Sequence, residues 1–313
     1  MRAAEEHAGA GRVARLRARN DVLDSFLASP RVVIAAVVAL IMIAAAALAP
    51  VIAPHDPFDI ATFSLLDSEL PPAFLEGGDP RFLLGTDNQG RDVLSSILFG
   101  LRISLVVGFT AVLLSMAVGV LLGLAAGYFG GIVDAVLMRA ADVILSFPTI
   151  LIALLVNGIL RGSLGGAQTA TTALLVLVLS IAINEWVQYA RTVRGSTMVE
   201  KGREYVKAAR LTGLPPRTIM RRHVLPNVLS PVLVIATINL ALAVLAEATL
   251  SFLGVGMPPT QPSLGTLINV GNEFLFSGIW WVVVFPSLTL VVLVLAVNIV
   301  GDWLRDALNP HLR

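Results

Sequence analysis

Glu204-Tyr205-Val206-Lys207-Ala208-Ala209-Arg210-Leu211-Thr212-Gly213, then Leu214-Pro215-Pro216, then Arg217-Thr218-Ile219-Met220-Arg221-Arg222, then His223-Val224-Leu225-Pro226-Asn227, forms a polar, sharply punctuated excursion between two long apolar runs. A chain this greasy that keeps so charged a segment uses it to touch something outside lipid. Gly213 closes a first helix, because glycine accepts the left-handed conformation without a Cβ penalty. Pro216 opens a second, where its missing N–H would be unpaired in any case. Two short helices with a hinge are expected. In the first, Tyr205, Ala208, Ala209 and Thr212 recur at helical spacing as one small, shallow, mildly apolar face, while Lys207, Arg210 and Arg217 point elsewhere. Small residues let a partner approach the backbone and the arginines can ring the contact, so the segment has the outline of a docking surface.

Outward from this elbow the chain reads as a polytopic, all-α membrane protein. Hydrophobic residues make up 56% and charged residues 14% of 313 positions, with a mean hydropathy of +0.84; soluble domains carry about 25% charged residues. A helix needs about 20 apolar residues to cross the hydrocarbon. Runs near 32–53, 103–127, 143–160, 172–190, 231–253 and 280–300 qualify, which makes six spans. Asp142 and Pro148 crowd the start of the third. Arg2, Arg12, Arg15, Arg17, Arg19 and Arg31 precede the first span, and a second basic cluster lies between spans four and five. Placing both inside satisfies the positive-inside rule with both termini cytoplasmic. The expected organisation is a tail over 1–30, a first span over 31–53, an extracytoplasmic segment over 54–102, a core over 103–300 containing a loop over 200–230, and a tail over 301–313. The first apolar run is long and lies behind a basic tail, so it reads as a retained anchor rather than a cleaved signal.

Functional classes fall away quickly. Cysteine is absent, which excludes disulfides, thiol catalysis and Cys-based metal sites. The two lysines, Lys201 and Lys207, both lie in the elbow region, and no Gly-x-x-x-x-Gly-Lys-Ser/Thr string exists, so the chain cannot build a phosphate-binding loop or hydrolyse ATP alone. His7, His55, His223 and His311 are scattered, and neither His-Glu-x-x-His nor Gly-x-Ser-x-Gly occurs. No catalytic residue, cofactor or metal site is expected, and no nucleic acid. The acidic 54–100 segment admits a cation-binding reading beside that of an ordinary solvated surface.

Several positions inside the spans ask for a physical account. Gly119, Gly123 and Gly127 repeat every fourth residue, which gives a smooth groove for close helix packing. Pro148 and Pro286 are expected to bend or open their helices. An acid in a span costs about 2.5–3.5 kcal/mol on insertion scales, so Glu185 and Glu247 invite explanation. Glu185 lies near the inner end of span four, where water and Arg191 are candidate partners; Glu247, near the outer end of span five, is the better pore-lining candidate. Asn157, Asn184, Asn239 and Asn298 either bond across helices or line a path. Ahead of span two, Asp92 can begin a helix whose Val93, Ile97, Leu98 and Leu101 lie on the outer membrane surface.

The elbow resembles the EAA loop of ABC importer permeases, the membrane subunits that an ATPase drives. Ala208-Ala209, Gly213 and Leu225-Pro226 fall on that motif's positions, whereas Lys207 occupies its glutamate position, with the acid one turn earlier at Glu204, and His223 replaces an aliphatic residue. The variant looks like the dipeptide, oligopeptide and nickel branch. Gly85-Thr86-Asp87-Asn88-Gln89-Gly90-Arg91-Asp92 is similar to a segment preceding span two in that branch, with Ser96 where arginine is common. Leu250-Ser251-Phe252-Leu253-Gly254-Val255-Gly256 after Glu247 and the terminal Gly301-Asp302-Trp303-Leu304-Arg305-Asp306 extend the resemblance, with Leu264 where tryptophan is frequent.

The resemblance implies a translocation subunit of an ATP-driven importer in the bacterial cell membrane. It implies partnership with two ATP-binding-cassette subunits that bind the ATP, a second homologous permease and an extracytoplasmic binding protein. Coupling would run through Glu204, Tyr205, Ala208, Ala209, Gly213, His223, Leu225, Pro226 and Asn227, and Glu247, Asn239 and Asn157 would line the pore. Di- or oligopeptides are the implied cargo, with nickel as the alternative. A self-sufficient secondary transporter would instead show inverted halves with interrupted helices, and no convincing inverted repeat is visible. The elbow read as a basic surface helix for anionic lipid leaves its proline hinge without a purpose.

Overall fold

The computed structural model describes residues 24–58, 65–163 and 169–307, and among them the architecture is helical. Helix α1, Pro30–Ala47, has proline in its first turn and an alanine-rich body. Helix α2, Val93–Phe129, is 37 residues long; Asp92 caps it by accepting from the Ser95 N–H, and Gly130, at φ 68°, ends it. Helices α3, Gly131–Leu145, and α4, Thr149–Ser163, meet at a bend of 99°. Helix α5, Ala170–Lys201, leads to the short α6, Glu204–Leu211. Helix α7, Pro216–Phe252, contains a π turn over Met220–Val224. Helices α8, Leu264–Phe274, and α9, Trp281–Ala307, complete the chain. By length and composition α1, α2, α5, α7 and α9 can each cross a membrane, and the bent α3–α4 pair makes a sixth candidate. The basic N-terminal tail and the last residues expected in the C-terminal tail lie outside the described residues.

The α2–α5 pair is the most extensive contact in the molecule, and its cause is the glycine stripe. A Cβ at Gly119 would lie 2.5 Å from the Tyr189 Cβ, one at Gly123 2.4 Å from the Ala190 carbonyl oxygen, and one at Gly127 2.7 Å from the Thr197 Cβ. Only glycine lets the two backbones approach this closely. The bend between α3 and α4 falls where Pro148 precedes Thr149, as expected of a residue that cannot continue the helical ladder. Pro286 differs: it lies inside α9 without interrupting it.

The interfacial helix expected before span two is replaced by the start of α2 itself. At ~1.5 Å per residue α2 is about 55 Å long, well beyond the ~30 Å hydrocarbon. Its first turns bury Val93, Ile97 and Leu101 in a protein cluster with Leu264, Leu267, Trp281 and Val282. Packing against α8 and α9, rather than lipid, takes up this apolar face.

Candidate functional site

The elbow folds as its punctuation demands. Helix α6 ends in a paired closure: the Gly213 N–H donates to the Arg210 carbonyl at 3.0 Å and the Leu214 N–H to the Ala209 carbonyl at 3.3 Å, with Gly213 at φ 76°. Pro216 then starts α7. The π turn precedes Pro226, whose ring would crowd a regular carbonyl four residues back, and the Leu225 N–H reaches five residues back to Met220. Asn227 Nδ2 donates to the His223 carbonyl at 2.8 Å and to the Tyr205 hydroxyl at 2.9 Å. That hydroxyl also bonds Glu200 at the end of α5. Partial desolvation, and then the Glu200 carboxylate, push the Tyr205 phenol above its ordinary range. Tyr205, His223 and Asn227 therefore act as a clasp joining α5, α6 and α7.

The face expected to hold Tyr205, Ala208, Ala209 and Thr212 together is divided. Ala209 turns inward with Val206, into a cluster containing Leu124, Tyr128, Tyr189, Val193, Ile219 and Val228. Tyr205, Ala208 and Thr212 face out. Leu211, which the sequence did not single out, is 90% exposed beside them. Its signal was there to be read: an aliphatic residue one helical turn from Ala208, on the same side. Arg210 stacks on the Tyr128 ring at 5.2 Å, and Lys201 bonds the Tyr128 carbonyl. Arg194 pairs with Asp134 on α3. The small helix is thus held against α2, α5 and α7 while one side remains free.

Toward the other end of the molecule, the Gly85-to-Asp92 string forms a knot. Arg91 Nε meets Asp87 Oδ2 at 2.6 Å with both side chains buried, and Arg91 Nη1 donates to the Pro259 carbonyl at 2.9 Å. Trp281 Nε1 donates to the Thr86 carbonyl at 2.9 Å. Asp67 and Asp79 engage Arg81; its guanidinium hydrogen bonds hold the Asp79 carboxyl below its usual value. Asp67, Asp79 and Asp87 are thus occupied by the chain's own cations and amides.

The three pore-lining candidates lie within helix packing. Glu247 is fully buried; its Oε2 accepts from Ser104 Oγ at 2.7 Å and its Oε1 from Ser251 Oγ at 2.6 Å. Asn157 Nδ2 donates to the Val255 carbonyl at 2.8 Å, and Asn239 is 1% exposed. A cavity of about 310 Å³ does open between α4, α5 and α7, and its acid is Glu185. Arg191, one candidate partner of Glu185, instead pairs with Asp142 at 2.7 Å. Ser180, Asn184 and Gln188 line the same cavity, a polar stripe at every fourth residue of span four that periodicity alone could have revealed.

A family model described as the binding-protein-dependent transport system inner membrane component matches residues 119–313. A second, the N-terminal TM domain of oligopeptide transport permease C, matches residues 19–72. Over 88% of its length the chain is 42% identical to the dipeptide transport system permease protein DppC of Haemophilus influenzae, of which it covers 88%. It is 41% identical to the DppC of Escherichia coli, over 84% of this chain and 83% of that one. The glutathione transport system permease protein GsiD of Pectobacterium atrosepticum is 37% identical over 92% of this chain and 89% of its own. Among solved structures, an inward-facing MetNI methionine ABC transporter chain superposes with a TM-score of 0.50 at 23% identity, over 69% of this chain and 96% of that one, a likeness of fold.

Proposed function

This chain belongs to the ABC-transporter permeases of the DppC/OppC type, the inner-membrane components of binding-protein-dependent transport systems, and we propose that it forms half of the translocation path of a peptide importer. A permease subunit is a non-catalytic, multi-pass inner-membrane chain whose energy comes from ATPase subunits. The finer reading is that two such ATPases drive it, that a second, related permease completes the path, and that an extracytoplasmic binding protein delivers cargo. Di- and oligopeptides are the cargo class, supported by the peptide substrates in the names of the relatives; nickel has no comparable support. Both termini face the cytoplasm in this reading, with α6 on the same side.

One observation carries the coupling role: α6 buries Val206 and Ala209 in the transmembrane core while exposing Tyr205, Ala208 and Leu211. A load applied to the free side reaches α2, α5 and α7 through packed side chains and the Tyr205–Asn227 clasp. Coupling then requires the ATPases to bind one pore state more tightly than the other. The test is Ala208→Asp combined with Leu211→Asp, both on the free side. The double variant is expected to insert normally, to lose ATPase subunits on purification and to lose ATP-driven dipeptide uptake. Undiminished uptake and co-purification would refute the docking role.

A further inference from the structure

We propose that Glu185 is a cation subsite on the translocation path, receiving the α-ammonium group of a peptide in transit. The inference rests on the peptide-importer reading above and adds a site to it. Glu185 is 7% exposed, and its Oε2 is buried with no hydrogen-bond partner. It lines the cavity between α4, α5 and α7, whose walls carry no Arg, Lys or His among the described residues. The nearest cation along its helix, Arg191, is engaged by Asp142. A buried carboxylate with neither counter-ion nor donor is costly while ionised, and a cation entering the cavity relieves that cost. Glu247 makes the contrast within the same chain, since two serine hydroxyls satisfy it.

The surroundings suit one end of a peptide. Asn184 Nδ2 donates to Thr149 Oγ1 at 3.1 Å, but its Oδ1 is buried and unpartnered, a second open acceptor among the residues that line the cavity. Gln188 and Ser180 add polar groups along the same helix face, and Leu242, on α7, supplies an apolar wall. Two open acceptors lining one cavity match an ammonium group with several N–H donors. A volume near 310 Å³ holds a small peptide rather than a large one. A fixed basic residue from the neighbouring permease is the competing occupant, and it predicts a different outcome.

The experiment uses the complete transporter, purified with its co-isolated chains and reconstituted in vesicles with its binding protein at saturation. Glu185→Gln and Glu185→Asp are compared with the unaltered chain for ATP-driven accumulation of dialanine and of N-acetyl-dialanine. Glu185→Gln is expected to cut dialanine accumulation tenfold or more and to lower the dialanine to N-acetyl-dialanine ratio, with partner chains still co-purifying; Glu185→Asp is expected to retain most of the uptake. An unchanged ratio in Glu185→Gln overturns the subsite. Loss of the second permease from the Glu185→Gln preparation also overturns it, by assigning the carboxylate to a contact between subunits. Failure of the unaltered complex to move dialanine with ATP refutes the peptide-importer reading itself, a separate result.

Discussion

The knot ahead of α2 and the cavity beside α5 handle buried charge in opposite ways. In the knot and the packing beneath it, each acid has a fixed partner: Asp87 has Arg91, Asp92 has the Ser95 N–H, and Glu247 has Ser104 and Ser251. In the cavity Glu185 Oε2 has none, and the Asn184 Oδ1 of the same cavity lining is equally open. Acids held by fixed partners resist displacement, because movement strands a buried donor or acceptor. A region with open acceptors holds binding capacity in reserve. On the proposal above, the first has a structural role and the second handles cargo.

The comparison can be broken most decisively at Arg91. Arg91→Ala leaves Asp87 buried and unpaired and removes the donor to Pro259, so a loss of about 3–5 kcal/mol is expected, read as a large drop in the melting temperature of the detergent-purified chain. A smaller loss, about 1–3 kcal/mol, is expected from Glu247→Ala, which takes away the acceptor of the Ser104 and Ser251 hydroxyl protons in the core. The same melting measurement on Glu185→Gln sharpens the contrast: no loss is expected, since no partner is abandoned. A melting temperature that falls as far for Glu185→Gln as for Glu247→Ala would erase the distinction between the two acids.

The smallest effect belongs to the exposed Asp79–Arg81 pair. Arg81 depresses the Asp79 pKa, so whatever stability the pair contributes is present above the unfolded carboxylate value and is lost as pH falls through the folded one. Melting curves of Arg81→Ala and the unaltered chain are therefore expected to converge in acid, and to differ little at neutral pH because solvent screens the pair. A large difference at neutral pH would show that the knot depends on its rim as well as on its buried pair.

Much of this was legible in the residues. The glycine stripe on α2, the Asp92 cap, the stop at Gly213, the start at Pro216 and the break at Pro148 are each set by local sterics or by the hydrogen-bonding capacity of one residue, so they read directly. Span number followed from apolar run lengths, with the third candidate as uncertain in structure, a pair bent by 99°, as its crowded start implied. Less legible were the inward turn of Ala209, the protein-facing start of α2, the serine partners of Glu247 and the place of Glu185 in a cavity wall.

Chain-local chemistry thus determined which segments are helices, where they stop and that they belong in a bilayer. Tertiary structure alone decided which acid is satisfied and which is not. Ser104 and Glu247 lie 143 positions apart, and Arg91 and Pro259 lie 168 apart. No periodicity carries information over such separations. Two carboxylates that look alike in a row of apolar residues differ only in what folding brings against them.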